Sequence, residues 1–334
     1  MKKFMPVVMS SVLALPFAAA QAEGPIDGKV YGKINLAIVN TDKAGVKDTA
    51  LESNASRLGF KGKSKLESGL SMVYQLEYEV NPTENNAVNT SKATGGTITG
   101  ATGGTATGGK DTDTNIFKQR NAFVGIAGDF GTVLAGIHDT PLKLSQGNID
   151  LFNDLPVGDL KSIMRGEVRA TDVVAYASPT FSGVSLMAAA TQYEDADEGK
   201  NNANSISVNY KNDNLYVALA MDSEVAGYDV TRVAAEYKMD AFTVGAIHNS
   251  SEVVNSGTSK SSDLISASYK IGDYKLKAQV GSGDEYAAGD SLSAFGVDYK
   301  LGKNSMLFAY TAKYSNDTAN STSKATAVGI EHKF

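Results

Sequence analysis

The chain has 334 residues with 31 basic and 37 acidic side chains, a formal charge of −6 and no cysteine. Its length allows two ordinary domains or one large all-β domain, and the missing cysteines exclude a disulfide framework, a thiolate metal site and a cysteine nucleophile. Beyond residue 22 no apolar run approaches the roughly 18 residues of a spanning helix, which leaves strands as the only route across a membrane.

The first stretch, MKKFMPVVMSSVLALPFAAAQA, has a basic start at Lys2 and Lys3, an apolar run from Phe4 to Ala20, and small residues at Ala20 and Ala22. This predicts a secretory signal peptide over 1–22, cut after Ala22, with 23–334 as the exported chain.

From there, apolar and polar residues alternate with the period of two that marks strands. Sixteen strands are predicted. The first five cover 28–39, 56–63, 70–80, 120–128 and 131–139, and the next five 171–178, 183–193, 205–211, 215–222 and 230–238. The last six cover 241–249, 263–271, 274–281, 292–301, 305–314 and 325–334. Short turns near 64–69, 129, 179–182, 212–214, 239, 272 and 302 alternate with long connections near 40–55, 81–119, 140–170, 194–204, 223–229, 250–262, 282–291 and 315–324. Such alternation is expected when all short turns lie at one end of a barrel and all long loops at the other.

A barrel of sixteen strands is too wide to fill with side chains and encloses water, so its polar face points inward and its apolar face toward lipid. Val30, Ile34, Leu36 and Ile38 accordingly oppose Lys29, Tyr31, Lys33 and Asn35, and Leu58 and Phe60 oppose Arg57, Lys61 and Lys63. Tyr-Lys recurs just before a turn at Tyr210, Tyr237, Tyr269 and Tyr299, which suits a ring at the headgroup level. The fold class predicted is therefore an all-β transmembrane antiparallel barrel of sixteen strands, with short periplasmic turns and long extracellular loops.

Two connections differ from the rest. Residues 92–110 are low-complexity Gly/Thr sequence with no means of building a core. Residues 140–170 carry Leu142, Leu144, Ile149, Leu151, Phe152, Leu155, Leu160, Ile163 and Met164 among charged residues, so that this loop is expected to pack on something.

The segments VYGK (30–33), SRLGFKG (56–62), RNAFVGIAGDFGTVLAG (120–136), VRATDVVAYASPTFSGVSLMAAATQY (168–193) and the terminal strand ending in Phe334 resemble the trimeric sixteen-stranded general porins of Gram-negative outer membranes. The resemblance implies a passive, water-filled channel for small hydrophilic solutes and ions, narrowed by a loop folded into the barrel. It places Lys33, Arg57, Lys61, Arg120 and Arg169 among the basic wall positions and Asp150, Asp154, Asp159, Arg165 and Glu167 on a constriction loop within about 140–170. It also implies a homotrimer surrounded by outer-membrane lipid and lipopolysaccharide, with Phe334 read by the barrel-assembly machinery. No cofactor, metal or nucleic-acid partner is expected.

The alternatives are a barrel enzyme of the outer-membrane phospholipase kind, and a surface adhesin or receptor that uses its loops. The first needs a Ser–His pair on the outer face, for which Ser268 or Ser291 with His248 would have to serve; GDSL at 289–292 lacks a downstream Asp-x-x-His. His138, His248 and His332 show no metal-ligand spacing.

Overall fold

The computed structural model describes residues 27–66, 68–83, 117–191 and 202–334. The stretch 1–22 predicted to be a signal peptide and the Gly/Thr-rich segment 92–110 lie outside the described residues. Among the described residues the chain begins with β1 (Gly28–Lys43), β2 (Val46–Ser53), β3 (Arg57–Lys65), β4 (Ser71–Val80), β5 (Phe117–Gly128) and β6 (Gly131–Asp139). A short helix α1 (Pro141–Leu144) and a 3-10 turn (Leu160–Ser162) then precede β7 (Arg169–Ala177), β8 (Val184–Thr191), β9 (Ala203–Lys211) and β10 (Leu215–Val225). The remaining strands are β11 (Tyr228–Met239), β12 (Phe242–Val253), β13 (Ser259–Ile271), β14 (Tyr274–Gly283), β15 (Asp290–Lys300), β16 (Ser305–Asn316) and β17 (Ser321–Lys333).

Every strand pairs antiparallel with its neighbours, and β1 closes the sheet on β17 from Lys33↔Lys333 to Lys43↔Ser323. One half of β1 pairs with β3 (Gly28↔Gly62 to Lys33↔Arg57) and the other with β2 (Leu36↔Ser53 to Lys43↔Val46). The segments β2 and β3 thus fill one position, and the closed barrel has sixteen. Their break at 54–56 has a cause: Ala55 sits at φ 49°, the Asn54 amide donates to the Asn35 side-chain oxygen (3.0 Å), and Ser56 Oγ accepts from the Asn35 N–H (3.0 Å).

Strand pairing runs further than hydrophobic alternation predicts. The expected long connections at 40–55, 223–229, 250–262 and 315–324 shrink to turns near 44–45, 226–227, 254–258 and 317–320. Beyond the lipid belt both faces of a strand meet water, so the period-two apolar signal disappears while the backbone ladder continues. Within the belt the signal is intact. Val30, Ile38, Ile265, Leu276, Phe295 and Val328 are exposed on the outer wall, while Asn35, Ser266, Ser268, Lys277 and Gln279 are buried on the inner one. The tyrosines that precede the short turns stand outside, where Phe242–Tyr269 and Tyr274–Tyr299 pack with ring centroids 4.7 and 4.8 Å apart.

The interior is not polar throughout. Ala37, Val39, Ala294, Phe308, Tyr310, Ala312, Ala325 and Ala327 form an apolar surface on the inner wall, covered by Phe152 and Leu155. Ala218, Ala234, Ile247 and Leu264 are covered in the same way by Ile149, Leu160, Ile163 and Met164. What lies over these wall positions is the 140–168 loop instead of water, and each fully buried loop side chain contributes about 1.5–3 kcal/mol to holding it there.

Candidate permeation site

The loop leaves β6 through a small helical turn. Thr140 Oγ1 accepts from the Lys143 N–H (3.1 Å) and Pro141 starts the turn, where a missing N–H costs nothing. Leu142 then buries against Ala220 and Val230, and its N–H donates to Ser205 Oγ (3.1 Å). Further along, Gly245 leaves the room that Ile149 occupies: a Cβ built there would lie 2.8 Å from Ile149 Cγ2.

Polar groups fix the middle of the loop to β14. Gln279 Nε2 donates to Asp150 Oδ1 (3.0 Å) and to the Gly158 carbonyl (2.7 Å), and its Oε1 accepts from the Leu151 N–H (2.9 Å). Asp150 also accepts from the Phe152 and Leu160 N–H groups, each at 3.0 Å. The carboxylate therefore knits the loop's own interior. Burial and the neighbouring Asp159 push its pKa up, against the pull of these donors.

A second clamp holds the return limb. Arg232 on β11 is fully buried and donates to Glu167 Oε1 (2.8 Å), Asn249 Oδ1 (2.9 Å) and the Arg165 carbonyl (2.8 Å). Buried Glu285 accepts from the Arg165 N–H (3.0 Å) and from Asn249 Nδ2 (2.9 Å), while the Arg165 guanidinium lies 4.0 and 4.4 Å from the ring centroids of Tyr228 and Tyr286. Burial raises the Glu167 carboxyl above its ordinary value despite the Arg232 charge.

The loop tip meets the wall at β1 and β3. Asp154, at φ 66°, sets its Oδ2 2.8 Å from an Arg57 guanidinium nitrogen and 3.1 Å from Lys33 Nζ. Burial opposes ionisation of Asp154, but Lys33 and Arg57, with Arg120 beyond them, outweigh it and hold the carboxyl below its ordinary value. Asp159 accepts the Asp154 N–H (2.9 Å), caps the 3-10 turn and pairs with Lys161 Nζ (3.1 Å).

The facing wall carries bases and acids in alternation. Arg120 Nε lies 2.6 Å from Glu77 and its Nη1 3.1 Å from Glu79; Tyr31 donates to Glu77 (2.9 Å). Arg169 and Lys143 both reach Asp139 Oδ1, at 3.1 and 3.0 Å. The β4–β5 register slips between Leu76 and Tyr78, and this bulge turns the consecutive Arg120 and Asn121 both inward. Arg57, Arg120, Arg169, Lys143, Asp154, Asp159 and Lys161 line one water-accessible space between loop and wall.

Of the residues predicted from sequence, Lys33, Arg57 and Asp154 meet directly, and Arg120, Arg169 and Asp159 border the same space. Lys61 faces inward nearer the short turns, its Nζ 4.2 Å from the Tyr31 ring centroid. Asp150, Arg165 and Glu167 are engaged in anchoring the loop. Phe334 continues the β17 pairing through two backbone bonds with Gly32 (3.0 and 3.1 Å). Sequence reasoning missed the wall acids Glu77, Glu79 and Glu331 and the anchors Arg232, Asn249, Gln279 and Glu285. For Arg232 a signal existed, since it is a lone cation between Val230 and Ala234 on one strand face.

The arrangement offers fixed charges along a wetted passage. His248 faces outward and bonds Asp263 (2.8 Å), whereas Ser268 lies buried on the inner face, so the wall separates them. Asp290 of GDSL closes a turn by accepting from the Ala287 N–H (3.0 Å). Among the described residues no cluster of His, Cys, Asp or Glu could hold a metal.

Residues 9–319 match the family described as Gram-negative porin. The major outer membrane protein P.IB of Neisseria gonorrhoeae is 24% identical across 97% of this chain and 99% of its own length. An anion-selective porin from Comamonas acidovorans superposes with a TM-score of 0.67 at 18% identity, covering 92% of this chain and 99% of that one. The OmpT outer membrane protein of Vibrio cholerae, in its trimer form, gives 0.61 at 15% identity, covering 92% and 100%. With a closed sixteen-stranded barrel, an apolar outer belt and a charged, wetted lumen, the chain belongs to the Gram-negative porin family and forms an outer-membrane channel for passive diffusion of small hydrophilic solutes.

Proposed function

We propose that solutes are selected where the 140–168 loop faces the wall of β3 to β7, in the water-accessible space bordered by the Asp154–Arg57 pair, Arg120 and Arg169. One observation supports this reading: the loop's apolar side is sealed against β15 to β17 and β1, and its tip carboxylate pairs with Lys33 and Arg57, directly opposed residues of β1 and β3, at the edge of the space lined by Arg120 and Arg169. Fixed opposed charges in a narrow aqueous gap orient polar solutes and give nothing to apolar ones. Liposome-swelling rates with neutral sugars of increasing size test it. The double change Arg57→Ala with Arg120→Ala should speed entry of the larger sugars; an unchanged size cut-off would place the constriction elsewhere.

Residues 1–22 act in this reading as a removable export signal and 23–334 as one barrel domain. The trimer form named for the Vibrio protein supports a homotrimer here, set in outer-membrane lipid and lipopolysaccharide. The exposed terminal ring of Phe334 suits recognition by the assembly machinery. No enzymatic step is part of the proposal.

A further inference from the structure

The Tyr-Lys repeat splits across the barrel wall. Tyr210, Tyr237 and Tyr299 are exposed outside, and Tyr269 packs there on Phe242. Side chains alternate along a strand, so the lysine after each tyrosine faces the lumen. Contacts agree: Lys211 shares a lumenal recess with Leu144 and Tyr216, and Lys238 Nζ lies 3.4 Å from buried Glu236. Lys270 and Lys300 border another recess together with Lys275 and Lys333.

These charges are crowded where the fold does not require it. Lys270 stands directly opposite Lys275 on the neighbouring strand, an arrangement that destabilises a sheet by roughly 0.2–1 kcal/mol. Acids facing the lumen at this level include Glu236, Asp298 and Glu331. Each already sits against a lysine, Lys238 (3.4 Å), Lys277 (2.9 Å) and Lys333 (3.1 Å) respectively. Asp129, Asp213, Asp240 and Asp273 lie in the turns at the rim, and Asp27 precedes β1 there. At the loop tip, by contrast, bases and acids are matched. Lysines therefore outnumber the lumen-facing acids at the short-turn mouth.

We propose that this lysine belt is an anion-collecting vestibule, which draws polyvalent inorganic anions of the phosphate class into the short-turn mouth and makes the channel respond to them from that side. Like charges set around an aqueous lumen with low-dielectric walls focus the potential and raise local counter-ion concentration by roughly 10-fold or more. Screening limits this to low salt, since the Debye length falls from about 10 Å at 0.1 M to about 3 Å at 1 M. The inference rests on the lumen being the permeation path.

Planar-bilayer recording in 0.1 M KCl tests it, with inorganic tripolyphosphate added to one compartment at a time. Gly302→Cys supplies the orientation marker, because nothing lies within 4 Å of a Cβ there and the chain has no other cysteine; an impermeant thiol reagent is applied after each recording. Half-block from the short-turn side is expected at a concentration at least ten times lower than from the other side. Lys270→Gln with Lys275→Gln relieves a repulsion, so the barrel should fold, and should cut this asymmetry at least threefold. Lys313→Gln with Lys324→Gln, paired on the outer face, should leave it unchanged. Equal block from both sides, or full asymmetry in the Lys270/Lys275 variant, would overturn the vestibule. A protein that inserts without conductance steps would overturn the permeation reading, and the vestibule with it.

Discussion

Replacing Asp154 by Asn removes one negative charge from the water-accessible space between loop and wall while keeping the side chain's size. Lys33 and Arg57, now 3.1 and 2.8 Å from the carboxylate, lose their shared partner. They keep weaker acid neighbours, Glu331 and Glu77, each at 3.7 Å, so the barrel should stay folded. For an ion passing at about 8 Å through water, one unit charge is worth about 0.5 kcal/mol. That changes the local population of a monovalent ion about 2.3-fold, in opposite senses for anions and cations, so the anion-to-cation permeability ratio should rise about fivefold. Reversal potentials across a tenfold KCl gradient read this directly. A value equal to that of the unmodified protein would refute the placement of Asp154 in the ion path.

Ile265 is 60% exposed midway along β13, and Ile265→Arg should destabilise the barrel in lipid by about 2–4 kcal/mol, measured by urea unfolding in liposomes. Indifference would argue that this face does not meet lipid. Arg232→Ala leaves Glu167 buried without its cation and should cost about 3–5 kcal/mol, chiefly as loosening of the loop. Limited proteolysis should cut within 140–168 before the strands, and unchanged protection would contradict the clamp. The Asp154 carboxyl is held low in the folded protein by Lys33 and Arg57 against burial, so its interaction is complete above its ordinary value near pH 4 and is lost as pH falls through the lowered one. Reversal potential should hence stay constant from neutral pH to about pH 4 and move toward anions below it; a shift near pH 6 would assign the selectivity to another group.

The lipid-facing half of each strand was legible from sequence because only there do the two faces meet different solvents. Ile265, Ala267 and Leu276 against Ser266, Ser268 and Lys277 show the pattern plainly. The strand ends at 46–53 and 250–253 were not, since polar residues on both faces carry no period. The loop's apolar residues announced that it packs, but not on what: the complementary alanines of β15 to β17 and β1 read as ordinary small strand residues. Asp150 and Asp154 are both acids of the same loop, yet one knits the loop's interior and the other pairs with Lys33 and Arg57 on the wall. Only the turn geometry, with Asp154 and Val157 at φ 66° and 65°, separates them. Arg120 shows the same limit, because the bulge that turns it inward depends on register with β4.

The placement of Asp154 in the permeation path is tested most directly by a thiol at that position, in a chain that otherwise has none. In single-channel recordings of Asp154→Cys, a small methanethiosulfonate reagent should lower the conductance of each pore by at least half, whereas the same reagent on Asp273→Cys, in a turn at the barrel's end, should leave it within a few per cent. Equal conductance before and after modification at position 154, with labelling verified by mass, would contradict the account.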